Sequence, residues 1–250
     1  MLTGTADIDR LAEQLPAPTI EEWSAEPFVL GQVTVLQVIA ELRRPGRDEM
    51  LPPALHPTDP PALSIQAWRV GDSPAGPFAF AHARLSCRSG VRARGLTVAA
   101  FTTSPDAAAF LRDRFGFPCR PADVDLAAHY DGSDLAVSVE GRPVLVVSAL
   151  DPQPLGADDV QYTSTLNLAH TPNGLRLVQV EAHHEADTVE RVQARITRFD
   201  PDAFGDGRLD PYHVVTTTVA HDREVTLPAV RFVCRADVSA FEGTESVSIR

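Results

Sequence analysis

The sequence predicts a mainly β chain in which an antiparallel sheet curls or closes into a barrel. Three observations point there. Short β-rich or alternating runs recur along most of the chain. Hairpin dipeptides separate several of them, at Asp131-Gly132, Glu140-Gly141 and Asn173-Gly174. Only one internal segment carries strong helix signals.

Taken in order, the stretch from Asp7 to Gln14 is expected to form a short amphipathic helix that stops before Pro16. Phe28 to Ala40 is the first strand. Leu51 to Pro61, LPPALHPTDPP, holds five prolines and reads as a rigid extended connector. Strands follow at Leu63 to Val70, Phe78 to Cys87 and Leu96 to Thr103. The internal helix opens on Ser104 as N-cap with Pro105 at the first helical position, and Gly116 ends it. Further strands are expected at Asp134 to Val139, Pro143 to Leu150, Gln161 to Leu168, Leu175 to Ala182, Val189 to Phe199, Tyr212 to Ala220 and Ala229 to Cys234. No internal repeat and no change of composition divides the chain, so residues 1–250 read as one domain.

Composition narrows the function classes. Of 250 residues, 44% are apolar and 22% charged, which suits a packed core. The net charge of −12 makes nucleic acid and anionic membrane poor partners. No apolar run reaches the roughly 18 residues that span a bilayer. The start, MLTGTADIDR, lacks a basic and apolar leader, so a cytoplasmic location is expected. Cys87, Cys119 and Cys234 are too few and too scattered for a disulfide framework or a zinc site. All 22 basic residues are arginine. A chain without lysine has no side chain that can form an imine, and Met1 supplies its one primary amine.

Several weaker patterns carry no site. His183 and His184 precede Asp187, but neighbours on a strand point to opposite faces, which argues against a shared metal. Asp200 to Gly207 lacks an oxygen ligand at the fifth position of a calcium loop and a Glu at the twelfth, where Pro211 sits, and reads as an acidic Gly-rich turn. His129-Tyr130 reads as a solvated hairpin end. No Walker A, dinucleotide or Gly-x-Ser-x-Gly motif is present.

The segment Phe101-Thr102-Thr103-Ser104-Pro105-Asp106-Ala107, continuing through the helix to Phe117-Pro118, resembles the acetoacetate decarboxylase superfamily. So do the proline-rich connector from Leu51 to Pro61, the Gly76-Pro77-Phe78 strand opening, Val192 to Thr197, and Leu227-Pro228-Ala229. The resemblance implies one curled sheet or β-barrel around a central cavity, with a homo-oligomeric assembly and no cofactor. The family's Schiff-base lysine falls at Cys119, its neighbouring lysine at Arg120, and its glutamates at Phe80 and near Gln66. Imine decarboxylation is therefore not available to this chain.

Period-2 alternation puts Ser64, Gln66 and Trp68 on one strand face, and Phe78, Phe80, His82 and Arg84 on one face of the next. With Ala99 or Ala100 and Phe117, these lead us to expect a roomy, largely apolar wall. Arg120 is a candidate anchor for a carboxylate or enolate, or else a partner of Asp123 or Asp125. Gln66 is a candidate hydrogen-bond donor and His82 a candidate acid/base. Cys119 is a candidate nucleophile, or a small buried filler of the vacated lysine site. Trp68, Phe78 and Phe80 line the cavity or belong to the core. The expectation is a biosynthetic cyclase or dehydratase, of lyase or isomerase type, acting on an apolar polyketide-like or β-dicarbonyl molecule. The alternatives are a non-catalytic protein binding an apolar metabolite, and an enzyme dependent on Cys119.

Overall fold

The structure is a computed structural model that describes residues 2–43 and 47–248. Met1, with its α-amino group, lies outside them. The strands are β1 (Phe28–Leu42), β2 (His56–Pro57), β3 (Ala62–Asp72), β4 (Phe78–Ser89), β5 (Arg92–Thr102), β6 (Cys119–Pro121), β7 (Asp123–His129) and β8 (Gly132–Val139). They continue as β9 (Arg142–Leu155), β10 (Thr165–Thr171), β11 (Gly174–Val180), β12 (His183–Phe199), β13 (Pro211–Leu227), β14 (Phe232–Arg235) and β15 (Thr244–Ser246). The helices are α1 (Ile8–Gln14), α2 (Pro105–Phe115) and α3 (Ala240–Gly243).

All strands belong to one sheet, ordered β15-β14-β11-β10-β5-β4-β3-β1-β13-β12-β9-β8-β7, with β2 on β4 and β6 on β5. The sheet curls but does not close, because β15 and β7 end it without pairing to each other. A closed barrel is therefore not formed. Nor is the sheet wholly antiparallel, since β5 pairs in parallel with both β10 and β6.

The curl gives the sheet two buried faces. On the outer one, Leu63, Ile65, Ala81, Ala83 and Leu85 of β3 and β4 pack against Val124, Leu126, Leu135 and Val137 of the β7–β8 hairpin. On the inner one, Trp68, Phe78 and Phe80 pack with Leu111 and Phe115 of α2 and with Val180, Val225 and Leu227. Burial of each such large side chain is worth about 1.5–3 kcal/mol.

Local chemistry explains the helix ends. Asp7 caps α1 and Ser104 caps α2, the latter by accepting from the Ala107 amide at 3.2 Å. Gly116 ends α2 at φ +69°, where an added Cβ would meet the Ala169 Cβ at 2.9 Å. Glu140-Gly141 forms the two-residue β8–β9 turn, both residues at positive φ. At the β7–β8 turn the loop residues are Tyr130 and Asp131, one position earlier than expected, with His129 paired to Asp134 at 3.1 Å in solvent.

Two segments depart from the sequence expectation with an identifiable cause. The strand expected from Gln161 starts only at Thr165. The carbonyls of Gln161, Thr163 and Ser164 are taken by Gln37, Arg84 and the Gly95 amide, so they are not free for a regular ladder. The strand β7 was not foreseen, although Val124 and Leu126 alternate inward between exposed Asp123 and Asp125.

Candidate functional site

Strand register assembles the site. Gln66 stands opposite His82, Ser64 opposite Arg84 and Trp68 opposite Phe80 across β3 and β4. On the other side of β3, Gln37 of β1 faces Gln66. The side chains share the inner face and form a buried polar chain. Gln66 Nε2 donates to Gln37 Oε1 at 2.6 Å, and Gln66 Oε1 accepts from His82 Nε2 at 3.0 Å.

That contact sets the tautomer of His82. An amide oxygen only accepts, so Nε2 carries the proton and Nδ1 carries a lone pair. Nδ1 is buried without a hydrogen-bond partner. Burial, and secondarily the positive charge of Arg84, hold the imidazole well below its ordinary pKa, so it is neutral. Phe117 stacks on the ring at 5.5 Å between centroids, and Phe80 meets it edge-on at 4.9 Å.

Arg84 is the charged group at the centre. It is 1% exposed. Nη1 donates to the Thr163 carbonyl at 2.8 Å and to Thr165 Oγ1 at 3.0 Å, and Nη2 donates to Ser64 Oγ at 3.1 Å. All three acceptors are neutral, and Nε has no partner. Burial pulls the guanidinium down to about 10. Gly95 makes room for this side chain: an added Cβ there would lie 2.9 Å from Arg84 Cβ.

A second group approaches from the far side. His184 Nδ1 hydrogen-bonds to Asp222 Oδ2 at 2.6 Å, with both side chains buried. Nδ1–H is the donor to the Asp222 carboxylate, so Nε2 is the nitrogen that faces away from it. Tyr162 stacks on His184 at 3.7 Å. Burial raises the Tyr162 phenol and the Asp222 charge raises it further, so it stays protonated. The Tyr162 hydroxyl, Trp68 Nε1 and Asp222 Oδ1 are buried without partners.

Gln66, Trp68, His82, Arg84, Tyr162 and His184 border a cavity of about 40 Å³. That is space for about three water molecules. The expected roomy apolar chamber is thus corrected: the aromatic rings fill most of the space, and the open remainder is walled by polar groups. Unpartnered donors and acceptors are rare in protein interiors, and five gather around this space: His82 Nδ1, Arg84 Nε, Trp68 Nε1, the Tyr162 hydroxyl and Asp222 Oδ1.

The other candidates fall elsewhere. Arg120 does not join the site. In β6 it pairs with Phe101 while Cys119 pairs with Ala100, so the two neighbours face opposite ways. Arg120 Nη2 donates to the Ala203 carbonyl, and its guanidinium lies 4.9 Å over the Phe101 ring on the outer face. It pairs with neither Asp123 nor Asp125. Cys119 is on the inner face but deep in the apolar cluster, and burial pushes its thiol up, so it is not a ready thiolate. Ala100 opposes His82 and belongs to the inner face, whereas Ala99 belongs to the outer core. Phe78 stacks with Phe28 at 6.5 Å and does not border the cavity, nor does Phe80, which backs Trp68 and His82. Among the described residues no group of three or more His, Cys, Asp or Glu side chains is arranged to hold a metal.

Sequence reasoning placed Arg84 on the correct face but gave it no role, and missed Gln37, Tyr162 and the His184–Asp222 pair. An arginine ending the run Phe78, Phe80, His82 and a glutamine following Val33 and Val35 are readable signals. Nothing local marks Tyr162 or Asp222.

A scan of protein-family models finds no match, and neither does a comparison with curated protein sequences. Solved structures do match. Acetoacetate decarboxylase from Legionella pneumophila is similar at TM-score 0.71 and 16% identity, over 86% of this chain and 90% of that one. The enduracididine biosynthesis enzyme MppR, complexed with pyruvate, is similar at TM-score 0.67 and 18% identity, over 83% of this chain and 90% of that one. An acetoacetate decarboxylase-like enzyme from Sphingomonas wittichii RW1 is similar at TM-score 0.62 and 15% identity, over 83% and 92%. At these identities the likeness concerns the backbone, and it spans most of both chains. The chain has the fold of acetoacetate decarboxylase and its structural relatives.

Proposed function

We propose that this chain is a lyase or isomerase that acts on a small carboxylate-bearing carbonyl compound by acid–base catalysis, without an imine. The observation that carries the reading is Arg84, a buried guanidinium with no anionic partner, beside a cavity shared with two histidines. A carboxylate would supply the missing counter-charge through bidentate hydrogen bonds. The small cavity favours a compound of few carbons over the bulky apolar molecule expected from the sequence. The pyruvate complex of MppR, on the same fold, is in keeping with such a substrate.

The residues divide the work as follows. Arg84 binds and orients the carboxylate. His184 Nε2, its ring held by Asp222, removes a proton from the carbon beside the carbonyl, and the electron pair moves onto the carbonyl oxygen. Trp68 Nε1–H and the Tyr162 hydroxyl donate to that enolate oxygen. His82 Nδ1 accepts a substrate hydroxyl proton in a hydrogen bond. In a substrate with a hydroxyl on the carbon that loses the proton, that hydroxyl's proton passes to the former carbonyl oxygen while His184 returns its own to the former carbonyl carbon, and the substrate isomerises. In a substrate with a β-hydroxyl, the enolate re-forms the carbonyl as the hydroxyl leaves, taking the proton held by His184 and departing as water.

Proton exchange tests this directly. A panel of 2-oxo and 3-oxo acids in deuterium oxide, followed by proton NMR, should show enzyme-dependent loss of the signal beside the carbonyl. His184→Gln should slow it by at least about 100-fold. Exchange unaffected by His184→Gln sinks the mechanism. Binding without exchange favours a non-catalytic carrier.

A further inference from the structure

A second cavity lies beside the first. It is a cleft of about 450 Å³ bordered by Arg92, Arg94, Arg231, Phe232 and Phe241, and Glu181 borders both spaces. Along residues 179–184 the chain alternates between them: Val180, Ala182 and His184 face the small cavity, while Gln179 and His183 face the cleft.

The cleft's charge is unusual for a chain of net charge −12. Three guanidiniums meet a single carboxylate, Glu181, which is held by Gln179 Nε2 at 2.7 Å. Arg92 and Arg94 lie two apart on β5, so they share a strand face. Burial lowers Arg94, Glu181 raises it, and the like charge of Arg92 lowers it again. No acid pairs with Arg92 or Arg231 among the described residues. Apolar surface flanks the charge: Phe241 is 80% exposed and Phe232 43%. The Phe241 ring rests over the Gly90 turn, 3.3 Å from where a Cβ would stand.

We propose that this cleft binds a phosphomonoester with an apolar body. Three cations less one anion leave a surplus of two positive charges, which a phosphate dianion matches and a carboxylate does not. Guanidinium forks suit phosphate oxygens, and Phe232 and Phe241 offer ring faces to the organic part. This inference stands apart from the role given to Arg84.

Phenyl phosphate is the probe, titrated calorimetrically into the intact chain, with inorganic phosphate and benzoate as comparisons. Arg92 and Arg231 are exposed, so Arg92→Gln and Arg231→Gln should fold normally, which circular dichroism checks. Phenyl phosphate should bind at least about tenfold tighter than either comparison, and each variant should weaken it about tenfold. Arg84→Met should leave this affinity unchanged, which separates the cleft from the small cavity. Three results overturn the proposal. One is no binding at about 10 mM. Another is equal binding of benzoate or inorganic phosphate. The third is an oligomer that dissociates in the Arg92 and Arg231 variants, which would make the cleft an interface between copies.

Discussion

Arg84→Met separates a residue kept for stability from one kept for a ligand. Burial holds the Arg84 guanidinium at about 10. That is roughly 2.5 below an ordinary arginine, or about 3 kcal/mol against the charged form in the folded state. Methionine removes this cost and keeps most of the apolar volume. The loss is three hydrogen bonds, but the acceptors Thr165 Oγ1 and Ser64 Oγ are hydroxyls that can rotate to other partners, and the Thr163 carbonyl borders a cavity large enough for water. One or two bonds to a charged donor, about 2–4 kcal/mol, is the realistic loss. The two sides nearly cancel, so urea unfolding should show a change within about 1.5 kcal/mol at unchanged m. Removing one half of a buried ion pair would cost about 3–5 kcal/mol instead. Ligand response should differ sharply. A small 2-oxo acid at about 100 times its Kd should stabilise the wild type by about 2.7 kcal/mol, or about 5–11 °C in Tm, and the variant hardly at all. A loss of 3 kcal/mol or more in the variant, or an equal ligand shift in both proteins, would refute the view of Arg84 as a cation waiting for an anion.

Three more outcomes follow from the same geometry. Arg120→Ala should cost about 1–2 kcal/mol, through the lost hydrogen bond to Ala203 and the ring contact with Phe101, yet leave turnover within about twofold; a tenfold fall in turnover would return Arg120 to the site. Cys119→Ala should retain turnover within about threefold, and the wild-type thiol should resist iodoacetamide in the folded state, because burial opposes its ionisation; rapid alkylation accompanied by inactivation would contradict this. His82 is neutral when folded and its pKa is lowered, so the unfolded chain binds the extra proton first as pH falls. Stability should therefore drop below about pH 6.5 by up to about 1.4 kcal/mol per pH unit, and His82→Gln should remove that part of the slope; identical slopes in the two proteins would mean that His82 is not held neutral.

Much of the inner face was readable in the sequence, because its signal is local. Strand alternation has a period of two, so once Gln66 is inward, Ser64 and Trp68 follow, and the same holds for Phe78, Phe80, His82 and Arg84. The helix between Ser104 and Gly116 was readable for a similar reason, since capping is decided within a turn of chain. The limits have equally physical causes. Alternation says that Cys119 and Arg120 face opposite ways, but the side each takes depends on the parallel pairing of β6 with β5. The openness of the sheet depends on its two edge strands, which lie far apart in the chain.

The sequence by itself determined what chemistry is excluded. A chain with arginine as its only basic amino acid beyond histidine has no side chain that can form an imine, whatever its fold. It also determined the composition of the inner faces of β3 and β4. Tertiary structure alone decided which groups meet there. His184 and Asp222 are 38 residues apart, and Thr163 and Thr165 reach Arg84 from about 80 residues downstream. Such pairs leave no periodic trace in the chain, because a contact between distant segments is set by strand order and curl. The size of the cavity was likewise decided by packing, as Phe117, Phe80 and Trp68 close around His82 and leave a small polar space.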